Sequence, residues 1–249
     1  MKIVIMGGTG LIGSKLAGKL TAQGHDVVAA APSTGIDSIS GKGLAEALQG
    51  AEVVVDVTNS PSFAEDAVMT FFRQSTGNML AASRSAGVSH YVALSVVGAD
   101  RITDSPYLRA KDAQEQLIAK GGIAYTILRA TQFFEFLGAI ADSATQSDAV
   151  YLPSAKFQPV AAEDVAAALA EIATSRPRNG IVELAGPDAT GMAKFIQSYL
   201  SAKGDGRKVI PDSDARYFGA RLDGDGLAPK AEHLAGRISF ADWIKTASA

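Results

Sequence analysis

Short apolar runs alternate with longer stretches of helical period over the first half of the chain. The apolar runs predict five strands, at residues 2–6, 26–31, 52–57, 90–94 and 124–129. The stretches between them predict helices at residues 10–23, 44–49, 63–86 and 106–120. Because nearly continuous apolar strands separated by helices are typical of a buried parallel sheet, the pattern indicates an α/β fold.

The pattern changes after about residue 131. It predicts four further helices and two short strands, the helices at residues 132–144, 163–174, 191–202 and 240–246 and the strands at 150–153 and 181–184. We expect residues 1–131 to form the core of the sheet. Residues 132–249 should complete the sheet and add a smaller C-terminal α+β lobe, all within one integrated domain. The Gly- and Asp-rich segment 202–211 is the candidate for a mobile loop.

Composition narrows the class of protein. The 249 residues are 47% hydrophobic with a net charge of −3, which is typical of a folded globular protein. The absence of Cys excludes disulfides and a cysteine nucleophile, and with three His we expect no metal site. The near balance of 23 basic and 26 acidic residues predicts no nucleic-acid or membrane partner, and it leaves monomer or dimer open. No apolar stretch reaches the ~18 residues of a membrane span and the first residues do not resemble a secretory signal, so we expect a cytoplasmic location.

A glycine-rich turn follows the first predicted strand. Gly8, Gly10 and Gly13 satisfy G-x-G-x-x-G, and the predicted helix 10–23 begins within the turn. Such a turn lets the backbone approach a pyrophosphate and directs the N–H groups and positive dipole end of the helix towards it. The sequence therefore predicts a doubly wound, parallel-sheet Rossmann fold that binds a dinucleotide. The expected binding residues are Gly7, Gly8, Thr9, Gly10, Leu11, Ile12 and Gly13.

The end of the second predicted strand bears on the choice of cofactor. An acid that binds the ribose of NAD is expected about 20 residues after the glycines. Residues 30–35 are instead Ala-Ala-Pro-Ser-Thr-Gly. The missing negative charge and the hydroxyls of Ser33 and Thr34 favour NADP(H) over NAD(H), because they suit a 2′-phosphate. The alternative is that these residues form only a polar turn and that Asp37 reaches the ribose.

Polar residues also follow the third predicted strand. Thr58 and Asn59 lie at its carboxyl end, where ligands of open α/β sheets bind, and can line the adenosine and ribose. The same residues are also good turn formers, so a purely structural role is the alternative.

The fourth predicted strand and the helix after it carry candidate catalytic groups. The strand ends near Ser95, and the helix contains Tyr107 and Lys111 at Y-x-x-x-K spacing, which places both side chains on one helix face. A lysine cation there can bind ribose hydroxyls and lower the phenol pKa, so that the tyrosine acts as a general acid. Structural alternatives are an aromatic cover over the pocket for Tyr107 and a strand-end cap for Ser95.

These motifs, together with residues 122–129 (GIAYTILR), look like a short-chain dehydrogenase/reductase. Within that superfamily the chain resembles the NmrA-like, atypical branch of NAD(P)-binding proteins over essentially its whole length. The resemblance implies a Rossmann domain with a C-terminal substrate lobe. It implies a cofactor-binding role for Lys111, because a lysine at this place recurs as a ribose ligand while the tyrosine is often missing. Only 12 positions separate Ser95 from Tyr107, fewer than in catalytic short-chain enzymes, which puts the catalytic role of both in doubt.

The resemblance also places the end of the fifth predicted strand beside the nicotinamide and the substrate. The predicted lining of a pocket for a flat apolar substrate is Val97, Tyr107, Phe133, Phe134 and Phe136. The alternative is that the phenylalanines only pack the second lobe. Asn78, within the long helix, is expected to have a structural role near the active-site end of the fourth strand.

Three functions are compatible with these features. The leading hypothesis is an NADPH-dependent oxidoreductase that transfers a hydride to a small carbonyl or quinone-like acceptor. The alternative is a non-catalytic NADP(H)-sensing regulatory protein of the NmrA type. A sugar-nucleotide epimerase comes third, because it needs an intact Ser–Tyr–Lys arrangement and a longer cap.

Overall fold

The computed structural model describes residues 1–222 and 224–246, and its elements follow the predicted alternation. The strands are β1 (Lys2–Met6), β2 (Asp26–Ala30), β3 (Val53–Asp56), β4 (His90–Val96), β5 (Tyr125–Ala130), β6 (Thr145–Gln146), β7 (Ala149–Leu152), β8 (Lys156–Phe157), β9 (Gly180–Ala185), β10 (Thr190–Gly191), β11 (Lys208–Pro211) and β12 (Leu234–Ala235). The α-helices are α1 (Leu11–Ala22), α2 (Leu44–Leu48), α3 (Glu65–Ala86), α4 (Pro106–Ala119), α5 (Leu137–Ser143), α6 (Ala162–Ala173), α7 (Met192–Ala202) and α8 (Phe240–Thr246). Through β5, each predicted element is confirmed to within about two residues at either end.

A seven-stranded parallel sheet has the order β12-β9-β5-β4-β3-β1-β2. β1 pairs with β2 on one side and with β3 on the other, in parallel register with Ile3 opposite both Val27 and Val53. The chain thus crosses over β1 between β2 and β3, and this reversal of strand order is where open α/β sheets bind their ligands. The predicted doubly wound α/β class is confirmed, and the glycine turn follows the strand at the reversal.

The chain divides into two compact units that alternate along the sequence. Unit 1 consists of residues 1–95, 106–129 and 165–182, and unit 2 of residues 96–105, 130–164 and 183–249 as far as they are described. The boundary expected at residue 131 lies close to one of the observed boundaries, where unit 1 ends at residue 129 and unit 2 begins at residue 130. Residues 165–182 belong to unit 1 again. They contain most of α6 and the first residues of β9, and β9 lies next to β5 in the sheet.

The second half of the chain departs from its prediction in two longer segments and in four two-residue strands that were not predicted, β6, β8, β10 and β12. The helix expected at residues 132–144 begins only at α5, after a 3-10 turn at Phe134–Phe136. The mobile loop expected at residues 202–211 is a loop only over residues 203–207, because residues 208–211 form β11, which pairs in parallel with β7 over its full length. Ahead of β11, the guanidinium of Arg207 binds the carboxylates of Asp205 and Asp142 at 2.7 and 2.9 Å. Backbone pairing and these ion pairs hold the segment in place.

No helix within the described ranges is both long and apolar enough to cross a membrane. The 22-residue α3 is the longest, and it is amphipathic. Its apolar and small residues pack against α4, while its charged residues face outwards.

The packed face of α3 contains hydroxyls that lack partners. Among the described residues, the side-chain oxygens of Ser75, Thr76 and Ser83 are fully buried and make no hydrogen bond. A buried polar group without a partner destabilises the folded state. We expect Ser83→Ala to raise the free energy of unfolding by about 1 kcal/mol, since it removes the hydroxyl and favours the helix. Urea unfolding measures the change. Ser85→Ala is the control, because the exposed Ser85 hydroxyl donates to Ala81 O and its loss should change stability by less than about 0.5 kcal/mol.

His90 begins β4 in a buried position, 3% exposed, with Nε2 3.0 Å from Thr126 Oγ1. Burial lowers the pKa of His90 from 6.5 to about 4. Between these two values the unfolded chain binds more protons than the folded one, so stability falls as the pH falls through this window and is fully present above it. We expect a loss of up to about 2 kcal/mol by pH 4, allowing for solvent screening.

The variant His90→Gln isolates this effect, because an amide does not titrate. Urea unfolding at several pH values between 4 and 7 should show a shallower decline for the variant than for the wild type. Parallel curves would show that His90 is not the group responsible.

Candidate functional site

Three glycines of the turn after β1 are required by the protein's own packing. Gly7 has φ +80°, in the left-handed region, and the N–H groups of Gly7 and Gly8 both donate to Ala30 O, at 2.9 and 3.0 Å. A Cβ on Gly8 would lie 2.6 Å from Ala29 Cα, and a Cβ on Gly13 would lie 2.2 Å from Gly7 O. Side chains at these positions would therefore break the junction of β1, β2 and α1.

Gly10 differs from these three. Its φ of −80° and ψ of −177° are open to any residue, and the nearest atom to an added Cβ is Gly7 O at 3.3 Å. Gly10 caps α1 without a side-chain hydrogen bond, and Leu11 beside it is exposed. The first N–H groups of α1 are thus not covered by a capping side chain, as an anion site requires. This turn fits a pyrophosphate. The backbone angles of Gly10 do not require a glycine, and the absence of a side chain there leaves the first N–H groups of α1 uncovered.

The residues after β2 form a 3-10 turn at Pro32–Thr34. Ser33 is exposed, whereas the Thr34 hydroxyl accepts from Ala31 N and donates to Ala31 O, both at 2.9 Å. The Asp37 carboxylate accepts from Ile39 N and Ser40 Oγ at 2.8 Å each, and these hydrogen bonds lower the pKa of Asp37. Ser33 is thus presented to solvent, while the side chains of Thr34 and Asp37 bind their own turns.

Asn78 holds this region rather than the end of β4. Its Nδ2 donates to Ser38 O at 2.9 Å and to Ile39 O at 2.8 Å. The expectation that Asn78 supports the fourth strand is therefore corrected: it fixes the loop that follows the 3-10 turn.

The end of β3 carries a buried acid. Asp56 is 1% exposed, and its carboxylate accepts from Thr58 N at 3.0 Å, Thr58 Oγ1 at 2.7 Å, Tyr91 Oη at 3.2 Å and Gln114 Nε2 at 2.8 Å. Burial and the neighbouring charge of Asp56 raise the pKa of Tyr91 well above its usual value. The Thr58 hydroxyl is thus directed at Asp56, whereas Asn59 is exposed and its Oδ1 accepts from Ser60 N at 3.0 Å.

Lys111 lies inside unit 1 and is 3% exposed. Its ammonium donates to Leu94 O at 2.8 Å and to the Gln114 side-chain oxygen, and it stands 4.4 Å from the centre of the Phe72 ring. Burial lowers the pKa of Lys111 to about 8, while the charges of Asp56 and Glu115 oppose the shift. The ammonium is therefore surrounded by acceptors of its own unit. To bind a ribose hydroxyl as predicted, the ammonium of Lys111 would have to give up its hydrogen bond to Leu94 O or to Gln114.

Tyr107 shares the Phe72 contact with Lys111, as the i, i+4 spacing predicts. Its ring meets Phe72 at 6.1 Å and the exposed Phe63 at 5.5 Å between centroids, both edge to face. Burial raises the pKa of Tyr107 to about 12. This corrects the expectation that the lysine lowers the phenol pKa, because desolvation dominates and Phe72 contacts both side chains.

Ser95 belongs to a buried ion-pair network. Its Oγ donates to Glu115 Oε1 at 2.5 Å, and Glu115 accepts the Arg129 guanidinium in a bidentate pair, Nη2–Oε2 2.6 Å and Nε–Oε1 3.0 Å. All three residues are at most 6% exposed. Because a serine hydroxyl has one proton, and this one is given to a carboxylate, Ser95 offers only acceptor lone pairs to any further partner.

Sequence reasoning missed Asp56, Tyr91, Gln114, Glu115 and Arg129. A signal was present on α4, where Lys111, Gln114 and Glu115 stand at i, i+3 and i+4 and thus share one face. Polar residues on a helix normally face water, so their burial becomes visible only when the facing strands are in place.

Of the predicted pocket residues in unit 2, two are buried in the core and two are partly or largely exposed. Val97 and Phe134 are fully buried, and the Phe134 ring packs against Phe195 and Trp243, with centroids 6.0 and 5.3 Å away. Their assignment to the pocket surface is corrected, since their side chains serve the core. Phe133 is half-buried and stacks on Phe136, which is 48% exposed, at 5.5 Å between centroids and 23° between planes.

The sequence signature described as NAD(P)H-binding matches residues 7–176, more than half of the chain. The chain belongs to this NAD(P)H-binding family. The match begins at the glycine turn and extends through α6. The predicted membership of an NAD(P)-binding family is thereby confirmed, while the NmrA-like branch stays a prediction.

Relatives of this family member include a reductase and an assembly factor. It is 28% identical over 144 residues to the (4-alkanoyl-5-oxo-2,5-dihydrofuran-3-yl)methyl phosphate reductase of Streptomyces griseus, covering 53% of this chain and 48% of the reductase. It is 24% identical over 151 residues to the photosystem II assembly factor Ycf39 of Synechocystis sp., covering 55% of this chain and 46% of that factor. The chain thus spans about half the length of the curated relatives it matches.

Solved structures show the same fold. The UDP-glucose 4-epimerase of Thermus thermophilus in complex with NAD has a TM-score of 0.69 at 18% identity, covering 100% of this chain and 93% of the epimerase. The triphenylmethane reductase of Citrobacter sp. complexed with NADP(H) has a TM-score of 0.64 at 19% identity, covering 86% of this chain and 80% of the reductase. Members of this fold therefore bind either dinucleotide.

Proposed function

We propose that this protein is an NADP(H)-dependent reductase that passes a hydride to a quinone-like or other conjugated carbonyl acceptor. The observation that carries the proposal is Gly10, whose backbone angles are open to any residue and which leaves the first N–H groups of α1 without a capping side chain. Reductases occur among both its sequence relatives and its structural neighbours, which supports the choice of reaction.

The bound nicotinamide would supply the hydride, and the protein would bind and orient the reactants. The turn from Gly7 to Gly13 would hold the pyrophosphate. Thr9 and the N–H groups of Leu11 and Ile12 are the groups at its open side. Exposed Ser33 and the uncharged end of β2 favour a 2′-phosphate, because the carboxylate of Asp37 is engaged by its own turn.

The polar groups near the end of β4 favour an acceptor that needs little acid catalysis. Ser95 gives its proton to Glu115, so it does not donate to a developing oxyanion. Tyr107, with a pKa near 12, is a weak proton donor. Hydride addition to a simple ketone leaves a strongly basic alkoxide, whereas addition to a quinone leaves a hydroquinone anion stabilised by aromaticity. Water can protonate the latter, so that the acceptor gains one hydride and one proton.

Steady-state oxidation of NADPH tests the reaction, with 1,4-naphthoquinone and cyclohexanone as matched acceptors. We expect turnover of the quinone and none of the ketone. Tyr107→Phe should keep quinone turnover within about tenfold of wild type, because one general acid contributes at least 10²-fold where it is needed. Turnover of the ketone that depends on Tyr107 would refute the proposed acceptor class.

Fluorescence titration with NADPH and NADH tests the cofactor choice. We expect the tighter complex with NADPH and a loss of this preference in Ser33→Ala. Tighter binding of NADH would reverse the assignment. The control Ser40→Ala changes a nearby exposed serine whose hydroxyl binds Asp37.

A second candidate function is a non-catalytic NADP(H) sensor. The commitment of the Ser95 proton and the raised pKa of Tyr107 favour it, because both weaken the proton-donating groups of short-chain reductases. A sensor should bind NADP⁺ and NADPH with different affinities and should reduce neither quinone nor ketone substrates with NADPH. Equal affinities together with quinone turnover would eliminate it.

A further inference from the structure

The reversal of strand order within unit 1 is bordered by two segments. The glycine turn follows β1 on one side, and segment 57–64 follows β3 on the other. The two adjoin directly, because a Cβ on Gly7 would lie 2.9 Å from Val57 O and 3.1 Å from Thr58 N. Open α/β sheets bind dinucleotides in the crevice at such a reversal. Segment 57–64 is therefore the second wall of the crevice whose first wall is the glycine turn.

Hydrogen bonds define the path of segment 57–64. At its start, the hydroxyl of Thr58 donates to the buried acid at the end of β3 at 2.7 Å. In its middle, Ser60 Oγ donates to Ser62 O at 2.7 Å. Its last residue leads into α3, which packs against α4. The backbone around Phe63 is thus held by its neighbours and does not depend on the Phe63 ring.

Phe63 presents its ring to solvent on this segment. The side chain is 63% exposed, and the ring meets Tyr107 of α4 at 5.5 Å between centroids and 60° between planes. The other ring that Tyr107 contacts, Phe72, is fully buried. One edge-to-face contact covers little of a phenylalanine, so most of the apolar surface of Phe63 stays in water. Burial within the fold does not explain an aromatic residue at this position, whereas a flat ligand in the crevice would.

The strand order gives the direction in which a dinucleotide would extend. Its pyrophosphate belongs at the glycine turn after β1, and its adenosine ribose belongs at the end of β2. β2 is the edge strand on one side of β1, and β3 and β4 follow on the other side. The nicotinamide half would therefore extend from the turn towards the carboxyl ends of β3 and β4. Phe63 follows β3, and Tyr107 belongs to the helix that follows β4, so the exposed ring lies on the nicotinamide side.

We propose that Phe63 is a cofactor-binding residue whose ring packs against the nicotinamide of the bound dinucleotide. The inference rests on the proposed NADP(H)-dependent function and adds a contact to the half of the cofactor that carries the hydride. All the groups involved belong to unit 1. An exposed ring on a fixed loop provides an apolar face for the flat nicotinamide without ordering a flexible side chain, and such stacking contributes about tenfold in affinity.

A pair of ligands separates this contact from the rest of the cofactor site. NADPH contains the nicotinamide, whereas 2′,5′-ADP has the adenosine and the 2′-phosphate but no nicotinamide. Phe63→Ala removes the ring, and Phe63→Trp keeps an aromatic face. The control Phe218→Ala removes a second exposed phenylalanine, 54% exposed and part of unit 2. For each variant we would measure the melting temperature, the affinity for both ligands by calorimetry, and the KM for 1,4-naphthoquinone.

Phe63→Ala should bind NADPH about tenfold more weakly than wild type and bind 2′,5′-ADP unchanged. Its melting temperature should stay close to that of wild type, because the ring is mostly exposed. Phe63→Trp and Phe218→Ala should bind both ligands as wild type does. Unchanged NADPH affinity in Phe63→Ala would overturn the inference. So would equal losses for NADPH and 2′,5′-ADP, which would show a general disturbance of the crevice.

The same measurements distinguish a failure of this inference from a failure of the proposed function. A raised KM for the quinone with unchanged NADPH affinity would assign Phe63 to the acceptor and overturn its contact with the nicotinamide. If wild type binds NADPH but does not turn over the quinone, the reductase proposal fails, and the calorimetric comparison still decides the role of Phe63. If wild type prefers NADH, the comparison is made with NADH and ADP.

Discussion

Gly10→Ala should keep the stability of the wild type and lose NADPH affinity by at least about 100-fold. The backbone at Gly10 is extended, and an added methyl group meets only Gly7 O, at 3.3 Å. We therefore expect the fold to accommodate alanine with a shift of a few tenths of an ångström at Gly7 O. The methyl group would instead occupy the open side of the turn, in front of the first N–H groups of α1, and the loss of those contacts corresponds to roughly 3 kcal/mol.

Two glycine controls bracket this result. Gly13→Ala places a Cβ 2.2 Å from Gly7 O, so it should lower the melting temperature strongly as well as abolish binding. Gly18→Ala lies on the exposed side of the same helix with nothing near the added Cβ. It should raise stability by about 1 kcal/mol and leave NADPH affinity unchanged. Thermal melts and fluorescence titrations of the three variants give the comparison. Wild-type affinity in Gly10→Ala would show that the cofactor does not bind at this turn.

Glu115→Leu should be the most destabilising single substitution in the buried network, by about 3–5 kcal/mol. It leaves the Arg129 guanidinium, 8% exposed at its side chain, without its bidentate partner, and it frees the Ser95 hydroxyl from its acceptor. Arg129→Met should have a similar effect for the same reason. The double variant should recover most of the loss, because no uncompensated charge is then left inside.

Urea unfolding of the two single variants and the double variant gives the coupling energy between Glu115 and Arg129 directly. The exposed pair of Arg109 with Glu65, whose side chains are 34% and 64% exposed, is the control. Glu65→Gln should change stability by less than about 1 kcal/mol. Additive losses in Glu115→Leu and Arg129→Met would show that the two groups do not act as a pair.

The first half of the fold is readable from the sequence because its signals are local. β1, β3 and β4 are continuous apolar runs, and α1 and α3 have clear helical periods, so their bounds follow from the residues alone. The strands missed in the second half are β6, β8, β10, β11 and β12. Four of these are only two residues long, and β11 ends in a proline. Such strands form because a distant segment offers a pairing edge, which no local pattern reveals.

The candidate site divides in the same way. The glycine turn is predictable because a short backbone motif determines its geometry. The network of Asp56, Gln114 and Lys111 is not, because each side chain is polar and its burial depends on contacts between residues 58 positions apart in sequence. Likewise, the proton of Ser95 is committed by Glu115, which stands on a different element. The sequence thus identifies candidate groups, whereas their remaining hydrogen-bonding capacity depends on the tertiary structure.

Single-turnover mixing of the protein–NADPH complex with 1,4-naphthoquinone tests the central claim most directly. NADPH would carry either hydrogen or deuterium at the transferable position of the nicotinamide, and its oxidation would be followed by absorbance. The proposed function predicts oxidation much faster than in buffer, slower with deuterium, and reduced to the buffer rate in Gly10→Ala. Oxidation by the wild type at the buffer rate, or equally fast oxidation in Gly10→Ala, would contradict a reductase that holds its cofactor on this glycine turn.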